Sequence, residues 1–484
     1  MELWNIDAVT AGLGLVAICL SLAWLRAHRH LHLPPGPMGL PLIGRLDILG
    51  PDMWLKFQEM RKQHGEIFSF YIGNRLNVVL NSSRSIREAF IKQNVTFAGR
   101  PRPWVMQLVG VQEVINNGTY SEEWKVERKF ILYALRKFGY GSASLENRIK
   151  HELNTLLDVF EKAGSEPVDP RKHLPKALAN LVFSILVNES YDFESEDLKR
   201  KLSLIQKWQG TVGEANLLDI FPVLRFFPWP PMKRLKDIKV EITADFRKHV
   251  LQHKKTFNTD YCRDVIDVYL KDRGEDFDTE KLVGMFFSFV GDAVDSLPEA
   301  LVWILLFVTA HTSVQGKVQE EILKVTSGER EVKLADRSSM PYTEAVIMES
   351  LRMSTFVPIS EPHSTLEDTT LMGYHIPKNT SVLANLYAAH MEPAAWGSPH
   401  VFRPERFLDE SGNLNRQDAF MPFSVGRRVC LGEQLSNKIM FLSTASILQR
   451  FHLRFPAGAA PQSLEAPSGY VRKAPPYTMC VQPR

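Results

Sequence analysis

The sequence of 484 residues predicts a single, mainly α-helical domain with a small β lobe. Apolar residues recur at helical spacing over long stretches near Leu145–Lys162, Lys233–Lys255 and Thr279–His311. Two β-rich runs flank a Gly-Asn turn within Ile67–Leu80, which predicts a hairpin. No internal repeat, low-complexity segment or clear second-domain boundary interrupts the chain, so one domain is the economical interpretation.

The N-terminal region predicts a membrane anchor followed by a connector. Residues 8–25 carry no charge, and the stretch is long enough to cross a bilayer as a helix. Acidic residues precede the stretch and basic residues follow it, so the basic flank is expected on the cytosolic side. A cleaved signal peptide is the alternative, although signal peptides usually carry their basic residues first. We therefore divide the chain into an anchor at 1–26, a basic flank and proline-rich hinge at 27–41, and one catalytic domain at 42–484.

Strand-like runs return late in the chain. They lie near Thr370–Ile376 and Ser381–Leu386 and are joined by a Pro-Lys-Asn turn. Short β-like runs separated by proline and glycine continue to the C-terminus. Together with the early hairpin, these segments make up the predicted β lobe.

The composition excludes several classes of protein. Hydrophobic residues make up 44% of the chain and charged residues 23%, which is typical of a globular protein with a large core. A net charge of +3 is too small to indicate a nucleic-acid partner. The four cysteines show no paired spacing, which argues against a disulfide framework or a zinc site and indicates a reducing compartment. The chain also lacks a credible flavin or nicotinamide loop.

The most specific chemical pattern is a loop of ten residues near the C-terminus, from Phe423 to Gly432. Cys430 can offer a thiolate to a haem iron, and such a soft ligand favours cleavage of the O–O bond. Gly426 and Gly432 lack a Cβ and can let the backbone approach a flat macrocycle, while Arg428 can pair with a haem propionate. Phe423 can pack beside the sulfur and limit water. The helix-like run that follows would place the sulfur near a helix N-terminus, which favours a thiolate; a buried cysteine in an ordinary turn is the alternative.

This loop resembles the cysteine-ligand loop of the cytochrome P-450 family of haem-thiolate monooxygenases. Two further motifs of that family precede it in the family's order: a Glu-x-x-Arg pair, Glu349 and Arg352, and a Pro-Glu-Arg-Phe segment that contains Arg406. The resemblance implies the cytochrome P-450 fold and a buried charge network of these three residues behind the haem. Considered alone, the Glu349–Arg352 spacing would more often be a solvated pair on one helix face.

The resemblance also assigns residues to the two propionates of haem b, iron protoporphyrin IX. Trp124 and Arg128 match a Trp-x-x-x-Arg pattern that supplies two donors to one propionate. His363 follows the Glu349 helix and is implied to contact the other. Without the resemblance, the first pair would be an amphipathic surface turn and His363 a structural histidine.

The resemblance places the oxygen-activating helix at Lys281–His311. The family's usual pattern there is a small residue, glycine, any residue, an acid and two threonines, and the matching stretch begins at Asp292. Asp295 keeps the acid and Ser296 keeps a hydroxyl, so these two are the expected catalytic proton-delivery residues. Asp292 and Ala293 depart from the pattern. The alternative is a core helix whose polar residues mark a kink at a proline.

Two surfaces are candidates for contacts with partners. The aromatic, proline-broken segment Asp219–Pro231 suits a membrane interface, and a packed loop is the alternative. Basic residues on the cysteine side can steer an acidic electron donor, and scattered solvated charge is the alternative. These basic residues are Lys125, Arg128, Lys129, Arg427 and Lys438.

Sequence and resemblance together indicate a membrane-anchored haem-thiolate monooxygenase on the cytosolic face of the endoplasmic reticulum. The chain most resembles the microsomal, vertebrate steroid- and drug-hydroxylating branch. It is expected to insert one atom of dioxygen into a lipophilic substrate: a steroid, another lipid or a xenobiotic. Electrons are expected from NADPH through a separate flavoprotein reductase, with a cytochrome b-type donor as an alternative. Two other functions stay open: a haem-thiolate isomerase or dehydratase acting on lipid peroxides without a reductase, and a non-catalytic haem-based ligand binder or sensor.

Overall fold

The computed structural model describes most of the chain downstream of the predicted anchor. The described residues are 32–40, 43–111, 115–139, 143–164, 166–215, 217–227, 229–274, 278–459 and 462–484, together with residue 14. Apart from residue 14, the predicted anchor at 1–26 lies outside them, as do residues 27–31 of the predicted hinge.

The described residues are mainly α-helical with a small β lobe, as predicted from the sequence. The helices are α1 (Met53–His64), α2 (Ser83–Arg87), α3 (Trp104–Leu108), α4 (Glu122–Gly139), α5 (Ala143–Ala163), α6 (Leu174–Val187), α7 (Glu196–Ala215), α8 (Leu217–Ile220), α9 (Pro230–Thr256), α10 (Val265–Arg273), α11 (Thr279–Ala310), α12 (Thr312–Thr326), α13 (Pro341–Ser354), α14 (Leu386–His390), α15 (Pro393–Trp396) and α16 (Glu433–Arg450). The strands are β1 (Ile67–Ile72), β2 (Arg75–Leu80), β3 (His363–Ser364), β4 (Thr369–Leu371), β5 (Tyr374–Ile376), β6 (Ser381–Ala384), β7 (Phe451–Arg454) and β8 (Cys480–Pro483).

Helix α11 is the centre of the fold. It begins where the Asp278 side chain accepts hydrogen bonds from the backbone N–H groups of Glu280 and Lys281. Most of its residues are buried, and it packs against α6, α9 and α13. By length and composition α11 could cross a membrane, but most of its apolar window is buried inside the protein. The three helices predicted from apolar spacing are all present as α5, α9 and α11.

The main sheet has four strands in the order β1-β2-β6-β3. The predicted hairpin is confirmed: β1 and β2 are antiparallel, and Ile72 pairs with Arg75 across the turn. Strand β2 runs parallel to β6, which brings the late part of the chain beside the early hairpin. The prediction of one strand over Thr370–Ile376 is wrong. Met372 and Gly373 both have a positive φ, at 48° and 91°, and so reverse the chain into the separate hairpin β4-β5.

The described part of the predicted hinge is docked on the β lobe. The carbonyl of Pro35 accepts a hydrogen bond from the N–H of Ser69 on β1 at 2.8 Å, and the Ser69 hydroxyl donates to the carbonyl of Pro34 at 2.7 Å. A Cβ at Gly36 would lie 1.7 Å from the Ser69 carbonyl oxygen, so only glycine permits this approach. The His375 N–H also donates to the His32 carbonyl at 2.7 Å. Residues 32–40 therefore form a fixed edge of the fold.

Candidate functional site

The cysteine loop leads directly into α16. The Cys430 N–H donates to the Phe423 carbonyl at 3.0 Å and closes the loop, and Gly432 is the N-cap of α16, so the sulfur lies at a helix start as expected. Burial nevertheless raises the pKa of the Cys430 thiol to about 11, although the backbone N–H of Gly432 opposes the shift. The start of α16 alone therefore does not ionise the Cys430 thiol. A metal cation bound by the sulfur would ionise it, because coordination removes the proton from a thiol.

The two glycines of the loop differ in their surroundings within the protein, and their predicted approach to a macrocycle stays a prediction. Gly426 has a φ of +84°, and a Cβ there would lie 1.9 Å from the carbonyl oxygen of Phe90. A contact between protein backbones therefore requires this glycine. Gly432 has an ordinary φ of −84°, and a Cβ there would make ordinary contact with the Cys430 sulfur at 3.8 Å. Phe423 is partly buried and packs against the main hydrophobic core.

Three guanidinium groups lie beside the cysteine loop. Arg428, as predicted, is one of them; it is buried, and its Nη1 has no hydrogen-bond partner. Arg128 on α4 donates to the backbone just before Cys430. Arg100, whose Phe-Ala-Gly-Arg-Pro segment matches a family segment of unassigned role, is the third. The hydrogen bonds of the three side chains run to the backbone carbonyls of Ala98, Asn116, Gly118, Pro362 and Val429.

This cluster concentrates positive charge, and the charge of Glu361 acts on Arg100 without forming an ion pair with it among the described residues. Burial, with repulsion from Arg100 and Arg128, lowers the pKa of Arg428 to about 9. Burial also lowers the pKa of Arg100 to about 10 and that of Arg128 below its usual value. Among the described residues no carboxylate forms an ion pair with any of the three. A buried, unpaired Nη1 within a concentration of positive charge fits a ligand with two carboxylates, and the two propionates of a haem meet that requirement.

The predicted contact of Trp124 with a propionate stays a prediction. Its indole N–H donates to the carbonyl of Ile115 at 2.8 Å in this structure, as a buried N–H needs an acceptor. The Trp124 ring also supports the arginine cluster: the Arg428 guanidinium lies 4.0 Å from the ring centroid. Trp124 and Arg128 lie one helical turn apart on α4, as expected, and the Arg128 guanidinium lies 5.5 Å from the Trp124 ring centroid.

His363 lies at the start of β3, buried beside the same cluster. Its Nδ1 is hydrogen-bonded to the Phe97 carbonyl at 2.7 Å, and its ring stacks on Phe90 with centroids 3.8 Å apart. Burial, with repulsion from Arg100 and Arg428, holds the pKa of His363 well below its usual range. Its Nε2 has no partner among the described residues. A propionate there would favour the protonated ring, because the Nε2–H group could then donate a hydrogen bond to it.

The two predicted proton-delivery residues are adjacent on α11 but point to different partners. The Ser296 hydroxyl donates to the carbonyl of Asp292, one turn earlier in the same helix, at 2.7 Å. Asp295 forms an ion pair with Lys473, with Nζ and Oδ1 3.5 Å apart. The structure therefore does not show a hydrogen bond between the acid and the hydroxyl.

Two carboxyl groups on α11 that the sequence left without a role have unusual surroundings. Burial, together with the charge of Glu361, raises the pKa of Asp292 to about 7. The charge of Asp292 in turn contributes to the raised pKa of the Cys430 thiol. Burial also raises the pKa of Glu299 to about 7, although its carboxylate accepts a hydrogen bond from the Ala474 N–H.

The structure brings Glu349, Arg352 and Arg406 together in the core. Glu349 accepts bonds from Nε and Nη2 of Arg352 at 2.8 and 2.9 Å, and from Nε of Arg406 at 3.0 Å. Arg352 also donates to the His390 carbonyl at 2.8 Å, and the His390 Nε2 accepts from the N–H of Met421 at 3.0 Å. Met421 lies just before the cysteine loop. A continuous chain of hydrogen bonds therefore connects α13 to that loop, with His390 as a link that the sequence did not reveal.

Comparisons with known proteins agree with this geometry. A family model described as Cytochrome P450 matches residues 34–481. Cytochrome P450 2U1 of Mus musculus is 33% identical, with 97% of this chain and 94% of the relative covered. Cytochrome P450 2J2 of Homo sapiens is 34% identical, with 92% and 90% covered, and cytochrome P450 1A1 of Rattus norvegicus is 30% identical, with 92% and 89% covered. The chain belongs to the cytochrome P450 family and is a haem-dependent monooxygenase.

Proposed function

We propose that this monooxygenase inserts one atom of dioxygen into a lipophilic substrate, with electrons that pass from NADPH through a separate flavoprotein reductase. One observation carries the proposal: the Cys430 thiol lies at a helix start beside one buried and two partly buried arginines that form no ion pair with a carboxylate among the described residues. That arrangement suits a flat ligand with a metal at its centre and two acids at its edge. The described residues offer no nicotinamide or flavin loop, which supports an external electron donor.

Each residue of the site has a specific task in holding the haem. Cys430 is the iron ligand, and the Gly432 N–H directed at the sulfur stabilises its negative charge. Arg428, Arg128 and Arg100 hold the propionates, with His363 as a further contact. When bound, a thiolate-ligated haem supplies the activation of dioxygen.

Proton delivery is assigned to Asp295 and Ser296. About a third of the Asp295 side chain is exposed, at 33%, so it can exchange protons with solvent, and Lys473 keeps it near the surface. Ser296 follows it directly and carries a hydroxyl that can rotate away from the Asp292 carbonyl. An acid that exchanges with water beside a rotatable hydroxyl can pass protons inward in single steps.

The localisation that we propose is the cytosolic face of the endoplasmic reticulum membrane, with a single N-terminal anchor at 1–26 and one catalytic domain at 42–484. Two exposed apolar groups support a second membrane contact. Met38 is 89% and Leu40 67% exposed beside the β1-β2 hairpin, while Phe226 is 87% and Phe227 62% exposed in the predicted interface segment. An ion pair between Arg75 of β2 and Asp219, 3.7 Å long, connects these two regions. Aromatic side chains without protein partners suit a membrane interface.

We propose a smaller surface for the electron donor than the five basic residues suggested by the sequence. Arg128 is directed inward to the Val429 carbonyl and belongs to the haem site, so it does not contribute to a surface patch. Lys129 and Arg427 are exposed, and Lys125 is partly exposed and paired with Glu122. We propose that Lys129 and Arg427 contribute most to steering an acidic reductase, with cytochrome b as an alternative donor.

The test uses the purified full chain reconstituted with a reductase and NADPH. The proposal predicts the red-shifted absorption of a thiolate ligand after reduction and carbon monoxide treatment, and NADPH-dependent oxygenated products detected by mass. Cys430→Ser should abolish the red shift. Arg428→Ala should lower haem retention, whereas Arg200→Ala, which removes a surface arginine that is 46% exposed, should not.

Two outcomes would contradict the proposal. Product formed from a lipid hydroperoxide without reductase would indicate an isomerase or dehydratase. Tight ligand binding without any NADPH-dependent product would indicate a haem-based ligand binder.

A further inference from the structure

His390 is a buried histidine at the end of α14, and its two ring nitrogens contact different segments of the chain. The backbone N–H of Met421 donates to Nε2 at 3.0 Å, and Nδ1 lies 2.9 Å from the hydroxyl oxygen of Thr355. The Phe420 ring stacks beside the imidazole with the ring centroids 5.9 Å apart. Both nitrogens of the ring are therefore engaged by groups of the protein interior.

These partners fix the tautomer of the His390 ring. A backbone N–H can only donate, so Nε2 carries no proton and accepts from Met421. The proton of the neutral ring then lies on Nδ1, which donates to Thr355, whose hydroxyl in turn donates to the Arg352 carbonyl at 2.6 Å. Burial, with the charge of Arg352 also contributing, lowers the pKa of His390 to about 3. The ring is therefore a neutral acceptor for the Met421 N–H near pH 7.

The hydrogen bond to Met421 holds the turn that leads into the cysteine loop. The Met421 carbonyl accepts from the Ser424 N–H at 3.0 Å and so closes a four-residue turn. Ser424 has a φ of +61°, a conformation that a residue other than glycine adopts only infrequently. The Phe423 carbonyl, within this turn, accepts from the Cys430 N–H. The path from the His390 ring to the Cys430 backbone thus crosses two hydrogen bonds.

The backbone that carries His390 is itself fixed. Its carbonyl accepts from Nη1 of Arg352 at 2.8 Å, and that guanidinium is held by the Glu349 carboxylate. At the start of α14 the Asn385 side chain accepts from the Ala388 N–H at 3.1 Å and caps the helix. The imidazole is therefore a fixed point relative to which the cysteine loop is positioned.

We infer that His390 is a positioning residue for the haem ligand: through the Met421 N–H, its ring holds the cysteine loop where the Cys430 sulfur stays on the iron as a thiolate. Groups that orient a metal ligand without touching the metal change metal affinity or activity by about 10- to 100-fold when they are removed. This role rests on the proposed function, because it requires a thiolate-ligated haem at Cys430.

The test uses two variants that each keep one half of the histidine. Glutamine carries a carbonyl oxygen close to the position of Nε2, so His390→Gln retains an acceptor for the Met421 N–H. Asparagine is shorter and ends near the position of Nδ1, so His390→Asn can contact Thr355 but cannot reach Met421. Leu186→Ala, which truncates a buried core residue of α6, is the control for a general loss of stability.

Each full chain is loaded with haem, reduced, treated with carbon monoxide and held below the melting temperature of every variant. The measured quantity is the rate at which the red-shifted band is replaced by the unshifted band of a haem without a thiolate ligand. His390→Asn should lose the red shift about tenfold faster than the wild type, and His390→Gln at close to the wild-type rate. Leu186→Ala should melt earlier in circular dichroism but keep the wild-type rate.

Three results would overturn the inference: His390→Asn as slow as the wild type, His390→Gln as fast as His390→Asn, or Leu186→Ala as fast as His390→Asn. If His390→Asn cannot be loaded with haem, the inference stands when His390→Gln can be loaded and fails when neither can. A wild-type protein without any red shift would refute the proposed function itself. The two failures are thereby distinguishable.

Discussion

Replacing Glu349 by glutamine should strongly destabilise the protein. Glu349 is fully buried and accepts hydrogen bonds from the side chains of Arg352 and Arg406 and, at 2.9 Å, from the backbone N–H of Arg403. Glutamine keeps the shape of the side chain but removes its charge and directs N–H groups at donors. Two guanidinium groups, with side chains 0% and 5% exposed, would then lack an anion.

The magnitude follows from this burial. Removing one partner of a buried ion pair costs about 3–5 kcal/mol, which is a large part of the stability of a typical domain. The domain has roughly 450 residues by the span of the family match. An unfolding entropy of about 2.1 cal/mol/K per residue then gives about 0.95 kcal/mol/K in total, so the melting temperature should fall by about 3–5 °C.

The assay is thermal unfolding of the haem-loaded protein, followed by far-UV circular dichroism at several scan rates. Glu59→Gln is the matched control, because its ion pair with Lys62 is exposed and should contribute at most about 1 kcal/mol. Replacing all three residues of the network with apolar side chains should recover part of the loss. The explanation by unpaired buried charge would be refuted if Glu349→Gln had the same melting temperature as the wild type. It would also be refuted if the variant with all three residues replaced were less stable than Glu349→Gln.

Three further changes have distinct expected outcomes. Gly426→Ala should prevent recovery of haem-containing protein, because the added Cβ would lie 1.9 Å from the Phe90 carbonyl oxygen. The control is Gly412→Ala, where φ is a similar +79° but no atom lies within 4 Å of the added Cβ, and this variant should retain haem. The measurement is the haem-to-protein ratio of each purified variant. Glu299→Gln should stabilise the protein at pH 8 and not at pH 4. Burial raises the pKa of Glu299 from 4.5 to about 7, so the folded state binds this proton more tightly than the unfolded state and loses stability as pH rises through that interval. Allowing for the partial exposure of Glu299, Glu299→Gln should be more stable than the wild type at pH 8 by about 1–2 kcal/mol in the free energy of unfolding, measured by thermal melting. Ser296→Thr should couple NADPH consumption to product at least as well as the wild type, and a large loss of product would argue against the assigned relay.

Long periodic elements could be predicted from the sequence because local and tertiary preferences agree there. Helix α11 combines an aspartate cap at Asp278 with an apolar composition that suits the centre of the fold. The β4-β5 hairpin was missed for the opposite reason. The seven residues Thr370–Ile376 have a strand-like composition that conceals a reversal at Met372-Gly373, and only pairing across the turn reveals it.

The candidate site likewise has features that the sequence predicts and features that only the folded structure reveals. The cysteine loop and the Glu349 network are recognisable because each motif is short and keeps a fixed order. The partner of the Trp124 indole and the convergence of Arg100 with Arg428 depend on contacts between distant segments, which spacing cannot show.

If residues 1–26 anchor the chain as we propose, the docking of His32 on the β lobe would limit how far the catalytic domain can move from the membrane. If the chain leaves the bilayer after Leu25, only six residues separate that point from His32, whose carbonyl is hydrogen-bonded to His375. Six fully extended residues reach about 20 Å. Such a short tether would hold the domain at the lipid surface and restrict its rolling, so the exposed Phe226 side would stay turned toward the lipid in which apolar substrates dissolve.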